Sequence, residues 1–262
     1  MALVTLEELI QAGVHFGHRA SRWNPKMAPF IYGKRNSIHI INLKETVRGL
    51  LRATHFLERL VRSGGEVLIV GTKPQLRALV KAEAERCGMH VVSERWLGGT
   101  LTNHLTIRSR LKRLEEIEET EKGGEAAYMS KKLLSAMARE KKKLIRNLDG
   151  IRRMHRLPSA LIIIDPRREE SALNECHKMG IPSVCVIDTD ADPDRVDIAI
   201  PANDDAYRSV HAVLSKLTDA VLRGREKHDV ARGVSKTGGA PAAPAEEPVA
   251  AAASAEPKTA EA

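Results

Sequence analysis

The chain has no glycine-rich phosphate loop: neither G-x-G-x-x-G nor a Walker pattern occurs in it, so the common signatures of nucleotide binding are absent. It has no G-x-S-x-G elbow, which removes the usual serine hydrolases of the α/β type. Its three cysteines, Cys87, Cys176 and Cys185, are odd in number and far apart. They read as buried reduced thiols of a cytosolic protein rather than a disulfide framework. No run of about eighteen apolar residues exists, so no membrane-spanning helix is expected. The opening MALVTLEELIQAG lacks the basic start, apolar middle and small-residue cleavage site of an export leader, and none is expected.

What the chain does have is positive charge, unevenly placed. The net charge is +8 over 262 residues. Between Leu105 and Arg156 fifteen Lys and Arg stand against eight Asp and Glu, whereas from Asp229 onward three basic residues face five acidic ones. Concentrated positive charge points to a polyanionic partner, because each Lys or Arg near a phosphate releases condensed counterions.

Short apolar runs alternate with longer amphipathic ones. SIHIINL, EVLIVG, HVVSE, SALIIID, IPSVCVID and VDIAIP read as strands, EVLIVG apolar enough to mark a sheet covered on both faces. Helices are expected over Lys44 to Ser63, from Thr72 as cap to Gly88 as stop, over Glu169 to Met179, and over Asp204 to Arg225. This order predicts an α/β fold, an open parallel sheet with helices on both faces. The basic segment interrupts it. Ile107, Leu111 and Leu114, then Met137, Leu144, Leu148 and Ile151, predict two helices with a narrow apolar seam, an inserted antiparallel coiled-coil hairpin. Residues 1–102 and 157–228 are thus expected as a discontinuous core, 103–156 as the hairpin, and 229–262 as a disordered tail of Ala, Pro and Glu.

Few residues suggest chemistry. VGTKPQ follows a strand and opens a helix, where doubly wound folds bind phosphate, but a lone Gly71 with Lys73 reads better as a tight turn capped by Thr72. Asp165, Asp188, Asp204 and Asp205 fall at strand ends, where turn and cap duty explains them. A structural cation held by His15 or His18 with Asp188 or Asp204 is the one metal arrangement the residues allow. The stretch HFGHRASRWNPKMAPFIYGKRN interleaves Arg19, Arg22, Lys26, Lys34 and Arg35 with Trp23, Phe30 and Tyr32. Bases for phosphates beside flat rings suit an RNA surface, with Pro25 and Pro29 expected to fix an extended path. SERWLGGTLTN has the same character through Arg95 and Trp96, although either tryptophan reads equally well as core.

LIQAGVHFGH, WNPKMAPFIYGKRNSIHIINL, RWLGGTLTN, PSALIIIDPRREESALNECHKMGIP and DTDADPDRVDIAIPANDDA, in this order from Leu3 to Arg225, closely resemble the hallmark segments of the bacterial small-subunit ribosomal protein two family. The resemblance implies a flavodoxin-like sheet carrying a coiled-coil hairpin. It also implies a structural protein of the cytoplasmic ribosome that binds small-subunit ribosomal RNA between head and body. Such a protein contacts other small-subunit proteins and helps recruit protein one, which captures messenger RNA. No enzyme activity, cofactor, small-molecule substrate or membrane contact is implied. From charge and motif membership, the expected RNA-binding residues are Arg19, Arg22, Lys26, Lys34, Arg35, Arg95, Arg108, Arg110, Lys112 and Arg113.

Overall fold

A computed structural model describes residues 5–123 and 129–233. The fold is built on five short strands: β4 (Val67–Val70), β5 (His90–Val92), β6 (Ala160–Ile164), β7 (Ser183–Ile187) and β8 (Ile198–Pro201). All pair in parallel, in the order β5-β4-β6-β7-β8. Counted along the chain this is 2-1-3-4-5, the flavodoxin-like order.

Alternation along each strand separates two cores. Val67, Ile69, Ile162, Ile164, Val184 and Val186 point one way. They meet α2 (Leu43–Arg62), α3 (Arg77–Cys87) and α7 (Tyr207–Ala231) through Leu50, Leu57, Leu79, Val80, Val210 and Leu217. Leu68, Val70, Leu161, Ile163, Cys185 and Ile187 point the other way, against Leu173 and Cys176 of α6 (Glu170–Met179). The near-continuous apolar strands follow from this double coverage. Gly49 lets α2 lie directly on β8, since a Cβ there would fall 2.4 Å from the Ala199 carbonyl oxygen. Gly88 and Gly180, at φ +66° and +65°, end α3 and α6 in the left-handed conformation that glycine adopts freely.

Three expectations change. SIHIINL does not join the parallel sheet. As β3 (Ile38–Ile41) it pairs antiparallel with β1 (Phe16–Arg19) and β2 (Ile31–Arg35) in a separate three-stranded sheet. The stretch around Pro25 and Pro29 is not simply extended, because residues 25–30 form a 3-10 turn capped by Asn24. Thr72 caps no helix: α3 begins at Arg77, and the Thr72 N–H instead donates to Glu169 Oε1 at 3.1 Å. A short helix α1 (Leu6–Gln11) precedes these elements, closed by a capping box between Thr5 and Glu8.

The basic insertion holds α4 (His104–Lys122) and α5 (Lys131–Leu148). Their ion pairs converge: Arg113 and Glu121 of α4 meet the adjacent Glu140 and Lys141 of α5. These pairs link the two helices, and Ile107, Leu111, Leu114 and Ile117 of α4 are buried along one stripe. The roots of both helices belong to the second core, where Ile107, Leu111, Leu148, Ile151 and Met154 pack with Leu161 and Ile163. Of the expected loop KGGEAAY, residues 124–128 lie outside the described residues, as does the expected tail beyond Gly233. Residues 229–231 of that tail are the last turn of α7.

Candidate nucleic-acid interface

The crevice beyond the carboxyl ends of the strands is where flavodoxin-like proteins bind ligands, and here it is lined by the chain's own ion pairs. Lys73, just past β4, places Nζ 2.8 Å from Asp165 Oδ2, Asp204 Oδ1 and Asp205 Oδ1. Burial opposes its charge, but these carboxylates outweigh burial and hold Lys73 protonated well above an ordinary lysine. Burial, then repulsion from Asp165, pushes Asp204 up to about 7 against the pull of Lys73. Both directions follow from several carboxylates sharing few cations. An ammonium held by three acceptors is neither base nor nucleophile. The thiols are inert too: burial raises Cys87, pushes Cys176 up to about 12, and puts Cys185 well above the ordinary range.

His18 sits beside this network, with Nδ1 2.9 Å from Asp188 Oδ2 and Nε2 3.5 Å from Asp205 Oδ2. Its hydrogen bond to Asp188 outweighs partial burial and raises it to about 9. The His18 backbone N–H also donates to Asp188 Oδ1 and Thr189 Oγ1, at 3.2 and 3.0 Å, which ties β1 to the end of β7. His18, Asp188 and Asp204 bring three donor atoms within 4.8 Å of one another and are the described residues that could hold a cation. A cation there competes with the imidazolium proton. His15 is not part of this trio.

Against the compensated crevice stand the cations predicted to bind RNA. Lys26 is neutralised locally, 3.0 Å from Asp192 and 2.8 Å from Asp194. Arg113 lies 3.3 Å from Glu116 and 3.8 Å from Glu140. The other eight, Arg19, Arg22, Lys34, Arg35, Arg95, Arg108, Arg110 and Lys112, have no acidic partner among the described residues, and all are exposed. The small sheet brings Arg19 and Arg35 together, since both pair with Ile38 and share its face. Arg108 and Lys112 stand one turn apart on α4, while Arg110 points away from their face.

The aromatic side chains divide. Tyr32 is 81% exposed, and Trp23, at 38%, packs on His39 with centroids 5.1 Å apart. Trp96 is core, its Nε1 donating to Glu175 Oε1 at 3.0 Å. The same carboxylate accepts from the backbone N–H groups of Gly99, Leu101 and Thr102 at 2.8, 3.0 and 3.2 Å. Glu175 therefore fixes the loop from Arg95 into α4. Sequence reading passed over Arg152 and His155, which line a groove with Arg108 and Lys112. The cluster IRRMHR after α5 was the available signal.

The family model described as ribosomal protein S2 matches residues 9–224. The chain belongs to the ribosomal protein S2 family. Ribosomal protein S2 proteins are structural components of the ribosome in translation, not enzymes. Among its relatives, the small ribosomal subunit protein uS2 of Rhodopirellula baltica is 52% identical over 225 residues, which is 86% of each chain. The small ribosomal subunit protein uS2c of Rhodomonas salina is 50% identical over 224 residues, 86% of this chain and 92% of that one. Among the described residues, no helix is long and apolar enough to cross a membrane.

Proposed function

We propose that the chain is a structural constituent of the small ribosomal subunit that binds ribosomal RNA between head and body and helps recruit protein one. The observation that carries the RNA reading is the division of charge. Where this fold would bind a small ligand, Lys73 is surrounded by carboxylates, whereas eight of the ten candidate cations stand exposed without an acidic partner. Unpaired surface cations cost little in an isolated protein and gain most when phosphates arrive and counterions leave. Folded RNA is recognised largely by shape, so base-specific contacts are not required. Recruitment of protein one rests on the family resemblance.

A sucrose gradient of cell lysate tests this reading. The expected result is stoichiometric presence in the small-subunit peak, with protein one lost from particles that lack this chain. Sedimentation only at the top of the gradient overturns the RNA reading, and unchanged protein one on depleted particles overturns the recruitment.

A further inference from the structure

Between α4 and the segment that follows α5 lies a groove of about 400 Å³, lined by Arg108, Leu111, Lys112, Arg152, Met154 and His155. Its floor is apolar, because Leu111 and Met154 are 7% and 2% exposed and anchored in the second core. One wall carries Arg108 and Lys112, four residues apart and so about 6 Å apart along the helix axis. That spacing is close to the separation of successive phosphates on one nucleic-acid strand. Neither cation has an acidic partner among the described residues, although Glu115 stands on the same rim. The opposite wall is rigid: Arg152 Nη1 lies 3.3 Å from Glu118 Oε1, so this guanidinium is already neutralised and serves as a brace. Ser109 and His155 add hydrogen-bonding groups to the lining.

We propose that this groove seats one stretch of RNA backbone, with two successive phosphates on Arg108 and Lys112 and the intervening ribose against the Leu111 and Met154 floor. The inference rests on the RNA-binding reading and sharpens it, since it replaces a diffuse basic patch by a built seat. Arg110 supplies the internal control. It carries the same charge on the same helix, is likewise exposed, and does not line the groove. Diffuse attraction treats Arg110 like its neighbours; a seat does not.

The test uses the full chain and purified small-subunit ribosomal RNA, with affinity measured across a salt series. Arg108→Ala with Lys112→Ala should lower affinity at least about tenfold and make the log–log salt slope shallower by about 2. Arg110→Ala should change affinity less than about threefold, and circular dichroism should show both variants folded. Lys112→Arg, which keeps the charge, should restore most of the binding when Arg108 is intact. Ser109→Cys carrying a photo-crosslinker should capture RNA in reconstituted particles. Equal losses for Arg110→Ala and for either groove residue alone would overturn the seat while leaving the RNA reading intact. Crosslinking to protein only would also overturn it. Failure of the unaltered chain to bind the RNA at all would remove the underlying reading, and the seat with it.

Discussion

Lys73 Nζ lies 2.8 Å from Asp204 Oδ1 across the mouth of the parallel sheet, joining the loop after β4 to the turn before α7. The pair is buried on both sides: Lys73 is 8% exposed and Asp204 1%. With Asp165 and Asp205 also on the ammonium, this contact fastens three strand ends together at the edge of the sheet where related folds bind ligands.

Lys73→Met keeps the length of the side chain and removes its charge, leaving Asp165 and Asp204 facing each other without compensation. A loss of about 3–5 kcal/mol of unfolding free energy is expected, the cost of breaking a buried pair from one side. Urea denaturation followed by circular dichroism measures it. A loss below about 1 kcal/mol would mean the network does not brace the fold.

Glu175→Gln exchanges one acceptor oxygen for an amide nitrogen, which then faces two N–H donors on the loop that ends in α4. Two buried donors left without partners correspond to about 2–4 kcal/mol. Burial works against the Glu175 carboxylate, but the bonds from Trp96, Leu101, Gly99 and Thr102 prevail and hold it below its ordinary value of 4.5. A depressed folded value means the stabilisation is present above pH 4.5 and is lost as pH falls through that lower value. The gap between native and Glu175→Gln proteins should therefore be full at pH 7 and close in acid, in paired urea titrations.

The bounds of the insertion matter to its deletion. Replacing residues 105–156 by a short turn removes Ile107, Leu111, Leu148, Ile151 and Met154 from the second core. It should expose Leu161 and Ile163 and leave an aggregating chain. A shorter cut, replacing residues 115–146, keeps those five and should leave a cooperatively folding protein. Native-like near-ultraviolet circular dichroism for the long deletion would contradict this account of the core.

Lys34→Ala with Arg35→Ala should weaken ribosomal RNA binding several-fold and make the salt slope shallower by about 2, since both cations are unpaired. Lys26→Ala should change affinity less than roughly twofold, because Asp192 and Asp194 already screen it. Filter binding at several salt concentrations separates the two. Equal effects would show that local pairing does not decide which cations meet RNA.

These contrasts also show what was legible in the sequence. Strands β4 to β8 and the stop at Gly88 were readable because apolar runs and a left-handed glycine act locally. The separate sheet was not, since irregular register in β1 and β2 blurs the alternation that would have marked them. Glu175 and Lys73 were opaque for another reason: their partners lie more than seventy residues away, so no spacing announces them. The basic residues were readable as a population. Which of them are neutralised, as Lys26 and Arg113 are, depends on acids that only the fold brings near.

The most direct test is the salt dependence of binding between the intact chain and purified small-subunit ribosomal RNA. With the unpaired cations other than Arg110 engaged, seven in all, log affinity should fall with log salt at a slope of roughly −6. A slope near zero, or binding no tighter than to a neutral polymer, would contradict a surface that works through exposed positive charge.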